Sequence, residues 1–134
     1  MGAHGQSSLE YLIILAAFFG VLALVLPVIT ESTQGFLSAS DDMLAKRIAE
    51  ETTNQISLMS FLGEGSEKTL AYSPIKQITV YSQNNDFFVE TQNKKYSVTF
   101  SSPQLVLKQD FNSKFNLTFK KIGENVQVFV NSAS

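Results

Sequence analysis

One carboxylate lies at the start of a long apolar run, where a charge needs a physical reason. Glu10 is followed by Tyr11–Ile29, nineteen residues without a charged side chain, and is preceded by Gly5, Gln6 and Ser8. A charge near the centre of a membrane-spanning helix costs about 2.5–3.5 kcal/mol, and less near an end. An acid here is suited either to neutralising a positive charge among packed apolar helices or to lying in the lipid headgroup layer.

Conventional catalytic chemistry has few candidates in this chain. The 134 residues include one histidine, His4, and no cysteine. The sequence has no Gly-rich phosphate loop and no metal-ligand spacing, and Glu64 and Glu67 are interpreted as solubilising loop residues. The formal net charge is −2, without a basic block that points to nucleic acid. We therefore expect no enzyme, no cofactor and no metal site.

The apolar run is long enough to cross a membrane. At about 1.5 Å per residue, Tyr11–Ile29 spans about 28 Å as a helix, close to the roughly 30 Å of a bilayer's hydrocarbon core. The run exceeds the core of a secretory signal peptide, and the PVITESTQG that follows offers no clear small-x-small cleavage site. On hydropathy alone, a permanent N-terminal anchor for a surface domain is the simplest interpretation.

The residues before the run favour a third interpretation. GQSSLEY resembles the processing site of type IV pilin precursors, specifically the archaeal class III signal peptide with a Gln-x-Ser-x-Glu signature. The resemblance covers roughly residues 5–30, and Gln6, Ser8 and Glu10 fill the three places of the signature. It implies that a prepilin peptidase cuts between Gly5 and Gln6 on the cytoplasmic side, so that Glu10 becomes the fifth residue of the mature chain.

The same resemblance implies roles in subunit assembly. The free ammonium of a mature Gln6 is costly among packed apolar helices, and Glu10 of a neighbouring subunit would neutralise it and fix the register. Pro27 lies where many type IV pilins carry a helix proline; it either kinks the helix or marks where the span leaves the bilayer. Gly20 would allow close helix approach. The implied partners are further copies of the chain in a helical filament, the peptidase, an assembly ATPase and a membrane platform protein.

Helical periodicity continues beyond the apolar run. In residues 31–65 apolar side chains recur at spacings of three, four and seven or eight, which is typical of an amphipathic helix. The glycines of GEG at Gly63–Gly65 end this pattern. The sequence leaves two possibilities open, one helix from about Leu9 to Leu62 or two helices hinged near Gly35.

The polar residues of this second stretch are expected to face solvent. If a separate helix begins here, Ser40 or Asp41 is the candidate N-cap. The acidic residues on this stretch are interpreted as a solvated face and not as a calcium site: Asp41, Asp42, Glu50 and Glu51.

After Ser73-Pro74 the hydrophobic period changes to two, which indicates strands. The pattern predicts five or six short antiparallel strands, separated by turn sequences such as SQNND and IGEN. An amphipathic helix laid on the apolar face of such a sheet gives an α+β fold. Phe87 and Phe88 are adjacent, so one of them should face outward. The clearest alternating segments are Ile78–Val80, Tyr96–Phe100, Phe115–Phe119 and Val126–Val130.

The sequence predicts four segments and one modification site. Residues 1–5 would be a removable leader, 6–30 a membrane or filament-core helix, 31–65 an amphipathic helix and 66–134 a β-rich extracellular head. NLT at Asn116–Thr118 is an N-glycosylation sequon, and the alternation places Asn116 on the outward face of its strand.

These features lead us to expect a structural subunit of an archaeal type IV pilus-like surface filament that serves adhesion or surface attachment. The precursor would lie in the cytoplasmic membrane with its N-terminus inside. Because the MGAHG leader carries no Lys or Arg, this orientation rests on the motif. The alternatives are a membrane-anchored surface protein that never polymerises, an archaellum subunit, or a minor pilin.

Overall fold

The part of the chain that the structure describes contains one long helix and seven strands. The structure is a computed structural model that describes residues 3–102 and 104–133, the first five of these by their backbone alone. It divides into two compact units, one ending at Phe36 and the other beginning at Leu37. The elements are α1 (Ala3–Phe61), β1 (Glu67–Tyr72), β2 (Ile78–Gln83), β3 (Asp86–Glu90), β4 (Lys95–Thr99), β5 (Gln109–Phe111), β6 (Phe115–Ile122) and β7 (Asn125–Ser132).

The helix is a single element, so of the two possibilities left open by the sequence the continuous one is confirmed. Pro27 lies inside α1, and the helix also runs through the polar stretch at Thr30–Gly35. There the hydroxyl of Thr30 donates to the carbonyl of Leu26 at 2.9 Å, and that of Thr33 donates to the carbonyl of Ile29 at 2.8 Å. These i−4 bonds hold the threonine hydroxyls against the helix backbone. Because no second helix begins there, the N-cap at Ser40 or Asp41 that belonged to the two-helix alternative is not formed.

The strands form two antiparallel sheets. One has the order β1-β6-β7 and the other the order β4-β3-β2-β5. The predicted layout of a long apolar N-terminal helix followed by antiparallel β structure is confirmed, with seven strands in place of five or six. The IGEN turn joins β6 to β7 through Gly123, whose φ of 60° suits glycine, and the SQNND turn places Asn84 at a φ of 56°.

The second unit has one apolar core between α1 and the sheets. From the helix, Ala45, Ile48 and Met59 contribute one buried stripe, and Thr52 lies on the same stripe. The inward faces of the strands supply the remainder, in which Phe87, Phe115 and Phe119 are the largest fully buried side chains. As expected, Phe88 faces the opposite side, where its ring stacks on Tyr81 at a centroid distance of 5.0 Å.

Two of the acids expected to face solvent are buried, which corrects the sequence prediction. Asp41 is 3% exposed and accepts hydrogen bonds from the backbone N–H groups of Ile75 at 2.9 Å and Lys76 at 2.8 Å. Asp42 accepts a hydrogen bond from the hydroxyl of Thr91. These carboxylates fasten α1 to the β1–β2 and β3–β4 connections. Because each is supplied with donors, burial does not leave it unsatisfied.

The other two acids behave differently from each other. Glu50 is exposed as predicted and forms a surface ion pair with Lys46 at 3.6 Å. Glu51 is partly buried and accepts a hydrogen bond from the Tyr72 hydroxyl at 2.6 Å and one from Arg47 at 2.7 Å. Burial alone would raise the pKa of Glu51, but these two hydrogen bonds outweigh it and hold the pKa below its ordinary value. Burial and the same bond raise the pKa of Tyr72.

Candidate assembly site

All the residues that were predicted to act in processing and assembly lie in the part of α1 that belongs to the first unit. Gly5 and Gln6 belong to its backbone, and the side chain of Gln6 is outside the described residues. Ser8 and Glu10 follow on the helix with exposed side chains. Since one turn contains 3.6 residues, Gln6 and Glu10 lie one turn apart on the same side of the helix, about 6 Å along its axis. The geometry brings the predicted cut and the acid onto one helix face.

The helix around Glu10 is apolar on every side. The apolar segment of α1 that could span a membrane lies near the N-terminus, and none of its residues is buried by other parts of the protein. A helix that is hydrophobic all round requires an apolar environment, which is either lipid or the surfaces of other helices. Its exposed apolar residues include Leu9, Leu12, Ile13, Ile14, Phe18, Phe19, Val21, Leu24, Leu26, Val28 and Ile29.

Glu10 is the one carboxylate on this surface. No other charged side chain occurs from Ser8 to Thr30. The same surface that favours lipid or packed helices therefore contains a single site that requires a cationic partner once it leaves water. A free α-amino group at Gln6 of another copy is a partner of the right charge, and the amphiphilic membrane interface is the other environment in which the acid is tolerated.

Gly20 and Pro27 shape the same stretch. A side-chain carbon built on Gly20 meets no atom within 4 Å, so the glycine leaves an open notch in the helix surface where a second helix backbone could approach. Pro27 has no N–H and removes one hydrogen bond from the helix interior. The structure brings Gly20 and Pro27 onto the same element as Glu10, but it does not bring them into contact with that residue.

The outward face of the three-stranded sheet carries the sequon. Asn116 lies on β6, opposite Ala71 of β1 and Asn131 of β7, and is partly exposed as the alternation predicted. Its sequon partner Thr118 lies two residues on, with its hydroxyl 2.9 Å from the Thr69 hydroxyl. Asn116 is thus accessible on a regular strand.

No metal-binding site is formed by the residues whose side chains the structure describes. No group of three or more His, Asp or Glu side chains there is placed to hold an ion. The closest acidic pair in sequence, Asp41 and Asp42, accepts its hydrogen bonds from different connections of the head. Sequence reasoning missed these two as fold-determining residues, although Asp41 has the same helical spacing as the buried Ala45, Ile48 and Thr52.

The layout defines the class of fold. A long apolar N-terminal helix followed by antiparallel sheets of three and four strands is a type IV pilin-like arrangement. Comparisons with protein-family models, with curated proteins and with solved structures found no match to this chain.

Proposed function

We propose that this protein is the structural subunit of an archaeal type IV pilus-like surface filament. Its apolar helices bundle into the filament core, and its β-rich heads form the outer surface. The observation that carries the proposal is Glu10, a lone carboxylate one helical turn from a glycine-preceded glutamine at the start of an all-round apolar helix.

Charge pairing explains the position of this acid. After cleavage between Gly5 and Gln6, the new ammonium of one subunit pairs with Glu10 of the next subunit along the filament axis. Buried ion pairs contribute little net stability compared with apolar residues, but an unpaired buried charge costs roughly 3–5 kcal/mol. The pair therefore selects one axial register among helices that are otherwise uniformly apolar.

The proposed life cycle is the one that the resemblance of GQSSLEY to prepilin processing sites implies. The precursor lies in the cytoplasmic membrane with its N-terminus inside, and a prepilin peptidase removes the leader. An assembly ATPase and a membrane platform protein then move the helix from lipid into the growing filament. Adhesion or surface attachment is the proposed role of the filament, since the heads supply its outer surface.

The rival proposal is a membrane-anchored surface protein that does not polymerise, and one observation supports it as well. The same helix is long and apolar enough to span a bilayer by itself. In that case the N-terminus stays intact, no filament forms, and Glu10 lies in the headgroup layer. An archaellum subunit or a minor pilin would share the processing and the core helix, and differs in the filament to which it contributes.

Substitution of Glu10 separates these proposals. Glu10→Ala and Glu10→Val remove the carboxylate and leave the ammonium of Gln6 unpaired, which corresponds to a loss of more than about 100-fold in each subunit association. We expect normal membrane insertion and a strong decrease in sheared filament, measured by electron microscopy and by immunoblotting of membrane and surface fractions. Glu31→Ala is the matched control, because Glu31 is an exposed acid on the same helix.

Two results would contradict the assembly role. Filament yield at the wild-type level in both Glu10 variants would show that the acid does not act in assembly. An equal loss of filaments in Glu31→Ala would show that any acid on this helix matters, and that the register argument is wrong.

A further inference from the structure

An exposed aromatic ring lies on the outward face of the three-stranded sheet. Phe129 of β7 is 43% exposed, although the solvent-facing positions of a sheet with one covered face are ordinarily polar. Its neighbours on this face follow that rule, since Thr118 lies directly opposite on β6, and Gln127 and Asn131 lie two residues away on either side along β7. An apolar ring among polar neighbours is suited to contact with something that lies on this face.

The N-glycosylation sequon begins beside this ring. Asn116 lies opposite Asn131, and Phe129 is two residues from Asn131 on the same strand, so Asn116 and Phe129 are diagonal neighbours on one face. Side chains in such a diagonal relation start about 7–8 Å apart, which is within reach of an aromatic side chain. On the other side of Asn116 lies Ala71, which is exposed and carries only a methyl group. The surface around Asn116 is therefore open toward β1 and bordered by the ring toward β7.

We propose that Asn116 carries an N-linked sugar and that Phe129 is the platform on which the first ring of this sugar packs. In the transfer, the side-chain amide nitrogen of Asn116 forms a bond to the anomeric carbon of the sugar and loses one proton. The bond from that carbon to the phosphate of a lipid-linked glycosyl donor breaks, and the phosphate leaves with the electron pair. The sequon by itself predicts only the attachment, whereas the position of Phe129 assigns the place where the attached sugar lies.

Two physical effects favour this contact. One face of a pyranose ring presents C–H groups with small positive partial charges, and the face of a phenyl ring is negative. The covalent bond to Asn116 also holds the sugar near Phe129 at a high effective concentration, so a contact that would be weak between free molecules is formed much of the time. Packing of the sugar on Phe129 removes exposed apolar surface from water.

The contact does not depend on filament assembly. A filament subunit and a membrane-anchored surface protein both expose the second unit outside the cell. A failure of the filament proposal would therefore leave the sugar contact intact, and a failure of the sugar contact would leave the role of Glu10 in assembly untouched.

Fluorescence quenching tests the contact, because the chain contains no tryptophan. Phe129→Trp keeps an aromatic face beside Asn116 and supplies the only indole of the protein. The full chain would be purified in detergent from cells that make it, with the added sugar verified by intact mass. Quenching of this tryptophan by acrylamide should be about two-fold weaker than in the double variant Phe129→Trp, Asn116→Gln, because the sugar covers one of the two faces of the ring.

Ile122→Trp is the matched control. Ile122 is 42% exposed and lies on the same face of β6, but it is six residues from Asn116, which corresponds to about 20 Å along the strand. Removal of the sugar by Asn116→Gln should leave the quenching of this tryptophan unchanged. Equal protection of both tryptophans by the sugar would overturn Phe129 as the platform, since the shielding would then be general to the face.

A stability cycle tests the same contact without a tryptophan. Phe129→Ala should lower the Tm by about 3 °C more in the glycosylated chain than in the Asn116→Gln background, because only the glycosylated chain has a sugar contact to lose. Equal losses of Tm in the two backgrounds would mean that the ring does not contact the sugar.

The remaining results are also decisive. Native protein without added sugar at Asn116 would overturn the proposal. So would equal quenching of Phe129→Trp with and without the sugar.

Discussion

Asp41 should be among the most sensitive polar positions of the second unit, Leu37–Ser134. Its carboxylate is 3% exposed and accepts two backbone N–H groups, from Ile75 at 2.9 Å and Lys76 at 2.8 Å. Hydrogen bonds to a charged group contribute about 1.5–3 kcal/mol each, and water that enters the space left by the carboxylate would replace some of that contribution. We therefore expect Asp41→Ala to lower the free energy of unfolding by about 3 kcal/mol.

The isosteric variant gives a second, graded value. In Asp41→Asn the amide oxygen still accepts one N–H, while the NH₂ group faces the other donor. The expected loss is about half that of Asp41→Ala. For a head of this size, about 3 kcal/mol corresponds to a fall of more than about 10 °C in Tm.

The assay is unfolding of the full chain in detergent, by heat and by denaturant, with circular dichroism as the signal that is monitored. Glu50→Ala is the control, because Glu50 belongs to an exposed ion pair with Lys46 and should change stability by less than about 0.5 kcal/mol. If Asp41→Ala is as stable as Glu50→Ala, the argument that Asp41 fastens α1 to the β1–β2 connection is refuted.

Three further predictions concern other polar groups of the second unit. Thr52 has a fully buried hydroxyl without a hydrogen-bond partner among the described residues, so Thr52→Val should raise the free energy of unfolding by about 1 kcal/mol in the same assay. Tyr72→Phe should lower it by about 1–2 kcal/mol, because the 2.6 Å bond to Glu51 is lost. The stabilisation by this pair is complete between a pH of about 4.5 and a pH of about 10. It is lost as the pH falls through the lowered pKa of Glu51, and it declines as the pH rises above about 10 toward the raised pKa of Tyr72. Unfolding measured against pH should show both limits in the wild type; in Tyr72→Phe the alkaline limit should be absent and the acid limit smaller, because Glu51 keeps its hydrogen bond to Arg47. Intact-mass analysis of native protein should show added sugar that Asn116→Gln removes; a native mass equal to that of the bare chain would exclude glycosylation.

The sequence patterns predicted those elements that are stabilised by residues close to one another in the sequence. The apolar run requires a helix wherever it lies, and the alternation in Phe115–Phe119 and Val126–Val130 corresponds to β6 and β7, which have one buried face. Turn residues also carried their own signal, since Gly123 and Asn84 adopt the positive φ values that these residue types permit. These features depend on neighbours in sequence, so the sequence alone could show them.

The features that were missed depend on distant partners. Asp41 is buried because its donors come from residues 34 and 35 positions away, and the donor to Asp42 lies 49 positions away. The edge strand β1 has the largely exposed sequence EKTLAY and is defined by its pairing with β6, not by its own alternation. No local pattern contains such pairings.

The candidate assembly residues were found for a different reason. Gly5, Gln6, Ser8 and Glu10 form a short linear motif, so their spacing was visible before any fold was known. Exposed apolar side chains such as Phe61 and Leu105 carried no comparable signal, because an exposed apolar residue is recognised only when the burial of its neighbours is known. Linear motifs are thus readable in the sequence, while surfaces require the fold.

The most direct test of prepilin-type processing is to identify the first residue of the mature chain. The chain would be taken from surface material sheared from cells that make it. Mass spectrometry should find a chain that begins at Gln6, with a free amine that pairs with Glu10. A cyclised Gln6 would confirm the cleavage but remove the ammonium from the pairing argument. A chain that still begins at Met1 or Gly2 would contradict prepilin-type processing and favour the plain membrane anchor.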